Sequence, residues 1–497
     1  MDGPVAPQIA SPGEAWPCRT RATDSPVALQ IASSVLQTAR RTPDSPARRQ
    51  TVPTELHGGR PPSSPSLWGP EKPSKRNLFG VIGLLSPSGG KDWLAGGHVI
   101  VEEGTGARFV LGADGAVHPV LNYASARLLA DGNGDATVSV SSEDLGKAPR
   151  GTEIGISAAP DSLPAAGALV AAPWTSCSRT TQDAPASAEP LVAVLLGTPA
   201  AGTRLPRGSG VIVRVRGGER YLLADGRRYR LGDEATAALQ FGSYPTIAVS
   251  SRWLDTVPAG RDLGELPVPG AGGPGPRVDP ADTRVGEVLA VVDVMASAGD
   301  ATLYYLVRGD GLEPVGQTEA SLLVTTSAND AAYDGNAAPE RVRAADVASV
   351  RKVAPSRAGG ADLAAYPDRV PGKAPATGSS VTLCAQGGEV FVCAAVPVPP
   401  GGCALPVTSH RDARVADEVY VPPSGGALVC DTGSGTTYLV TDLGRNYPIA
   451  TAPALASLGY GSVARQALAS GLLALVPTGP ALDPATAGQP VPSGGTG

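Results

Sequence analysis

The chain has 497 residues, 42% of them hydrophobic, and a formal charge of −6. That length is worth roughly three domains with real cores, and no basic stripe with interleaved aromatics offers a surface to nucleic acid. Its 63 Gly and 49 Pro far exceed the usual share, so many loops are expected. In chain order, residues 1–78 come first, rich in Pro, Ser and Arg, with positive charge clustered at Arg40-Arg41, Arg48-Arg49 and Lys72–Arg76. Pro4–Ser11 returns almost unchanged as Pro26–Ser33. Such a segment cannot bury enough apolar surface to offset its ordering entropy, and it reads as disordered. The apolar run Leu78–Leu85 follows and stops at Ser86-Pro87. It is far short of the about 20 residues a membrane helix needs. Met1–Pro4 opens without the charged and apolar regions of a signal peptide. Taken literally, the sequence is unanchored.

From Val99 onward one unit occurs four times: a strand, a second strand, a tight Gly turn, a third strand and a helix. The hairpins are Arg108–Val120, Arg220–Leu231, Leu303–Val315 and Thr437–Ile449. Asp114-Gly115, Asp225-Gly226 and Asp310-Gly311 are two-residue hairpin signals, because a type I′ turn needs positive φ at both central positions. Asp442-Leu443-Gly444 is one residue longer and suits a three-residue loop with Gly left-handed. A strand precedes each hairpin: Val99–Val101, Val211–Val215, Val285–Val292 and Ala427–Val429. A helix follows each, over 122–129, 233–241, 318–323 and 451–458, with Asn122, Asp233, Thr318 and Thr451 as N-caps. The expectation is an elongated α+β protein of four β-β-β-α repeats around a central, mainly-β domain. Repetition of this kind builds surfaces and scaffolds.

The motifs that could carry chemistry are weak. Asp131–Asp135 imitates the start of a calcium loop, but the twelfth position, which should be a bidentate Glu, is Ser142; it reads as a turn. Asp431-Thr432-Gly433 matches half of an aspartic-protease site, and no second triplet supplies the other carboxylate. Gly90-Lys91, Gly146-Lys147 and Gly372-Lys373 each lack the hydroxyl of a nucleotide-binding P-loop. His118 reads as an exposed strand position, because its equivalents are Tyr229, Glu313 and Tyr447. Trp253 reads as a core residue bracing the linker after the second repeat, with an interface anchor as the alternative. The six cysteines, Cys18, Cys177, Cys384, Cys393, Cys403 and Cys430, have no CxxC spacing, so no zinc site is expected. Cys393 and Cys403 flank a short Pro/Gly stretch and could close a local loop, or remain thiols. The expected metal and cofactor sets are empty.

Several stretches together resemble EccB, the membrane component of the actinobacterial type VII (ESX) secretion machine. Gly80–Pro87 looks like the end of the family's membrane helix. His118–Leu129 looks like its first-repeat signature, and Ser251–Gly260 is similar to its inter-repeat motif. Tyr438–Ile449, Leu458–Gly461 and Leu475–Ala487 resemble its C-terminal hallmark. The likeness runs in the family's order over about 78–482. It implies a single-pass membrane protein with its bulk extracytoplasmic, a structural role in the core complex, and export of small helical-hairpin proteins. Its partners would be the other ESX membrane subunits, including an FtsK-like motor ATPase. Envelope-associated ATP hydrolysis, which has been ascribed to relatives, and cell-wall contact are the alternative roles. The upstream half of the membrane helix is replaced by Ser66–Asn77, as if the anchor were lost or the start misassigned.

The resemblance also implies a disulfide between Cys177 and Cys384, tying two halves of the central domain. The expected layout is 1–78 N-terminus, 79–97 membrane remnant and exit, 98–136 repeat 1, and 137–190 first part of the central domain. Then come 191–265 repeat 2 and linker, 266–330 repeat 3, 331–425 second part of the central domain, 426–482 repeat 4, and 483–497 a flexible tail.

Overall fold

The computed structural model describes residues 86–87, 93–94, 96–130, 137–180, 188–292, 302–335, 337–355, 366–374, 381–407 and 414–491. The expected disordered N-terminus, the apolar run Leu78–Leu85 and the Asp131–Asp135 loop lie outside them. Among the described residues no helix is long and apolar enough to cross a membrane.

Five sheets organise the described chain. Sheet I holds Ser86–Pro87 (β1), Val99–Glu102 (β2), Arg108–Leu111 (β3), Val117–Pro119 (β4) and Thr137–Val140 (β5), with helix Tyr123–Leu129 (α1) before β5 and Ser142–Leu145 (α2) after it. The chain then enters the central sheet with Trp174–Arg179 (β6), Leu191–Leu196 (β7) and Thr203–Arg204 (β8). Sheet II follows: Ser209–Arg214 (β9), Arg220–Ala224 (β10), Arg227–Leu231 (β11), Asp233–Ala238 (α3), Thr246–Ala248 (β12) and Ser251–Leu254 (α4). Sheet III has Val288–Val292 (β13), Thr302–Arg308 (β14), Gly311–Val315 (β15), Gln317–Thr325 (α5), Glu340–Val342 (β16) and Ala344–Ala348 (α6). Gly372–Lys373 (β17) touches β9. The central sheet is completed by Thr382–Gln386 (β18), Glu389–Cys393 (β19), Leu405–Pro406 (β20) and Glu418–Tyr420 (β21). Sheet IV closes the chain: Gly426–Asp431 (β22), Thr437–Thr441 (β23), Arg445–Ile449 (β24), Ala452–Ser457 (α7), Gln466–Leu468 (β25) and Ser470–Leu473 (α8), ahead of Pro484–Ala487 (α9).

Sheets I to IV share one construction. Three antiparallel strands are followed by a helix, and then a fourth strand returns parallel to the first: β5 on β2, β12 on β9, β16 on β13 and β25 on β22. A short helix follows. Its fourth residue is Leu145, Leu254, Val347 or Leu473, and each of these is at most 5% exposed. The next stretch bridges in parallel to the third strand, pairing Val117 with Arg150, Arg228 with Ala259, Leu312 with Lys352 and Asn446 with Thr478. The unit is therefore longer than β-β-β-α. Sequence boundaries shift accordingly: Thr137–Val140 and Glu340–Val342 belong to sheets I and III, and Leu191–Leu196 belongs to the central sheet. The return strands are short and half polar, so alternation alone does not mark them, and parallel pairing through a crossover leaves no local turn signal.

Caps differ between units. Asn122 Oδ1 accepts from Ser125 N at 3.0 Å and Thr451 Oγ1 from Ala454 N at 3.2 Å. For α3 and α5 the N-caps are Gly232 and Gly316 instead, with Asp233 and Thr318 already inside the helix. Asp233 there sits in the first turn, where its charge complements the helix dipole, and pairs with Arg220.

The sheets join in pairs. Ala124 and Leu128 of α1 share a core with Leu439, Tyr447, Leu458 and Leu482 of the sheet IV region. Arg127, 8% exposed, donates to Ser457 O at 3.2 Å across the same junction. Leu322 of α5 enters the core of sheet II beside Leu222, Leu239 and Phe241. The largest core holds Trp174, Val192 and Leu383 of the central sheet, Val211, Val213 and Leu223 of sheet II, and Val429, Val440 and Leu468 of sheet IV. Val211 and Val213 face this core while Ile212 faces the helix side. Burial on both faces explains the unbroken apolar run. Chain order is I, centre, II, III, centre, IV, whereas in space sheet I packs on IV, III packs on II, and II and IV both pack on the central sheet.

The segment after Leu482 departs from the flexible tail expected for 483–497, as far as Val491. Asp483 caps α9, Ala487 is fully buried, Gly155 N donates to Gln489 O at 3.3 Å and Val491 N to Glu153 O at 3.0 Å. Pro and Gly composition suggests flexibility, yet Pro484 stands at the first helical position, where its fixed φ is already suited to the helix.

Candidate functional site at the central sheet

The central sheet has the order β20-β21-β7-β6-β18-β19-β8. Cys177 of β6 and Cys384 of β18 stand directly opposite one another and form a disulfide across 207 residues of sequence. Both are fully buried, among Ala193, Leu195, Cys393 and Tyr420. Cys393 and Cys403 are thiols, so the local loop closure between them does not form. Burial pushes the Cys393 thiol up from its ordinary value.

Helix α4 locks onto the same strand. Trp253 is fully buried, and its Nε1 donates to Ser176 O at 2.9 Å. Ser176 and Thr256 share a hydroxyl–hydroxyl bond of 2.9 Å. Arg252 donates to Val415 O at 2.6 Å and pairs with Asp417 at 3.0 Å, and Asp417 also accepts from Val192 N at 2.7 Å. Trp253 is a core brace, as the sequence suggested. Arg252 and Asp417, separated by 165 positions, carried no sequence signal: each is an ordinary charge until the fold brings them together.

The predicted turns behave in three ways. Asp225 and Gly226 take φ of 48° and 74°, both positive as a type I′ turn requires. A Cβ on Gly226 would overlap the Gly388 carbonyl oxygen in the β18–β19 turn, so sheet II abuts the central sheet through two glycine turns. Gly444 takes φ 68° in the three-residue loop between the paired Thr441 and Arg445. Asp114-Gly115 sits instead inside a longer loop from Gly112 to Ala116, where Asp114 accepts from Ala116 N at 3.0 Å. Asp310 and Gly311 have no positive φ; Gly311 is a strand residue paired with Arg308, and a Cβ there would lie 2.6 Å from Arg351 O.

Asp431 accepts from Gly433 N at 3.1 Å, Ser434 Oγ at 2.7 Å and Ser470 Oγ at 2.5 Å. Burial alone would raise its pKa, but these donors outweigh it and hold the carboxyl below the usual range. The Asp-Thr-Gly triplet is thus a fully occupied turn. His118 is not exposed: its side chain is 14% accessible, Nε2 lies 3.1 Å from Asp114 and Nδ1 2.9 Å from Thr152 O. Its equivalents Tyr229, Glu313 and Tyr447 are buried too. His118, Tyr229 and Tyr447 each cover a glycine of the trailing stretch, Gly151, Gly260 and Gly479, leaving no room for a Cβ there. Among the described residues no cluster of His, Cys, Asp or Glu could hold a metal.

These polar groups hold sheets to one another. They define a mixed α+β protein whose described chemistry is joinery: a cross-strand disulfide, a buried tryptophan and an ion pair converge on one central sheet. The family model described as type VII secretion system ESX-1, transport TM domain B (EccB) matches residues 77–490, and the chain belongs to that family. Among its relatives is the ESX-3 secretion system ATPase EccB3 of Mycolicibacterium smegmatis, 28% identical over 75% of this chain and 72% of that protein. The ESX-5 secretion system ATPase EccB5 of Mycobacterium tuberculosis is 28% identical, covering 74% of each. The EccB3 dimer from the ESX-3 core complex superposes with a TM-score of 0.61 at 25% identity, over 78% of this chain and 99% of that one. The periplasmic assembly from the ESX-5 inner membrane complex gives 0.59 at 25% identity, over 80% and 95%.

Proposed function

We propose that this chain is an extracytoplasmic structural subunit of an ESX membrane core complex, in which sheets I to IV are four copies of one repeat presented by the central sheet. The observation that carries the reading is the family match over 77–490 joined to structural likeness with chains of ESX core assemblies. A buried disulfide also suits an oxidising compartment outside the cytoplasm. In this role the native protein is anchored in the membrane near Gly80, and it holds the other membrane subunits, the FtsK-like motor ATPase among them, in position for export of small helical-hairpin proteins. Deleting the gene abolishes that export, and a version without the anchor does not restore it. Export restored by the unanchored chain from the cytosol would overturn the reading.

A second reading, ATP hydrolysis, rests on the relatives' names. Phosphate release that follows the protein through every purification step would support it.

A further inference from the structure

We propose that the cleft beside sheet IV is a docking site for an extended acidic segment of a partner protein, with an apolar side chain of that segment seated next to the acids. This rests on the scaffold reading and names where such a scaffold would grip. The cleft has a volume of about 870 Å³ and runs between α4 and α8, with Arg252, Asp255, Asp431, Arg445 and Asn446 on its walls. Its acids are already engaged. Asp255 pairs with Arg228 at 2.5 Å, and Asp431 is held by serine hydroxyls. Arg252 is paired with Asp417.

Arg445 is different. Among the described residues its guanidinium makes no ion pair or hydrogen bond, although it is partly buried. A part-buried charge without a counter-charge is costly, and an incoming carboxylate removes that cost. Its neighbour Asn446 is 1% exposed; its amide donates to Val476 O at 2.9 Å, while its Oδ1 has no partner.

Arg445 also borders a second hollow of about 220 Å³, lined by Leu405, Val419, Leu443 and Pro477. Leu443 is 56% exposed and Leu405 39%, and together they make an apolar step immediately beside the charge. Leu405 lies on β20, which among the described residues is the outermost strand of the central sheet. Apolar step and cation in sequence fit a peptide better than a small anion, which would need only the cation.

The test uses the full chain and a synthetic peptide array in which one Leu, Ile or Phe precedes two acids, read by fluorescence anisotropy. Acidic members bind saturably, lose affinity as salt is added, and do not bind when Lys replaces the acids. Arg445→Gln weakens binding about tenfold, roughly 1.4 kcal/mol. Leu443→Ser, on an exposed turn that tolerates the change, weakens it about threefold. Binding unchanged in both variants, or no acidic member bound at millimolar peptide, overturns the proposal. ATP binding that depends on Arg445 while the peptides do not bind overturns it in favour of a nucleotide site, and leaves the scaffold reading to its own test.

Discussion

Sheet II and the central sheet solve the same problem, a mixed sheet buried on both sides, by opposite means. The first three strands of sheet II are contiguous: β9, β10 and β11 follow one another through tight turns, and Asp225-Gly226 sets the register of one hairpin by backbone conformation. The central sheet is gathered from distant segments, so β6 meets β18 across some 200 residues and its register is held by side chains. Contacts close in sequence cost little loop entropy, whereas distant ones must be compensated by strong links. A disulfide, a buried tryptophan and an ion pair accordingly meet on the central sheet, and perturbing them separates the two regions.

The largest effect is expected from Trp253→Ala, which opens a cavity where α4 meets β6 and leaves Ser176 O without its donor. A loss of about 3–5 kcal/mol follows, seen as a lower denaturation midpoint. Hydrogen exchange should rise in β6 and β18 before β9 and β10; a uniform rise would break the contrast. Next is the double variant Cys177→Ser/Cys384→Ser, which loses about 2–4 kcal/mol through the released loop. A double variant as stable as the oxidised wild type would remove the disulfide from the account.

Legibility in the sequence follows the same division. Hairpins, their preceding strands and the helices after them are written locally, in Asp-Gly turns and in caps such as Asn122 and Thr451. The turns that misled did so because a neighbouring segment, not φ, demands the glycine, as Arg351 O does at Gly311. The return strands β5, β12, β16 and β25 carry no legible signal, since three or four residues of mixed polarity show no period. His118 reads as exposed because its equivalents vary, yet in three of the four units the side chain lies over a trailing glycine. The Cys177–Cys384 link came from family resemblance; nothing in cysteine spacing selects it. Arg252–Asp417 and the lone Arg445 became visible only with the fold.

Two smaller effects sharpen the comparison. Asn122→Ala removes a local cap from α1 and costs about 1 kcal/mol, confined to the junction of sheets I and IV; exchange in the central sheet should not change. Asp431→Asn tests the occupied turn. Its carboxyl has a depressed pKa in the folded protein, so its contribution is complete above the unfolded value near about 3.9 and is lost as pH falls through the lower folded value. The variant is slightly less stable at neutral pH and shows a flatter acid limb of Tm below about pH 4. An acid limb identical to the wild type would show that Asp431 is not held as described.

The central claim is that this chain is a structural part of an ESX membrane assembly, and that its central sheet is what makes it one. The most direct measurement is native-gel analysis of detergent-solubilised complexes from cells carrying wild type, no copy, or Cys177→Ser/Cys384→Ser. The account predicts a large complex containing the other membrane subunits with wild type, none without the chain, and a reduced or unstable one with the double variant. A complex of full size and composition formed in the absence of this chain would contradict it.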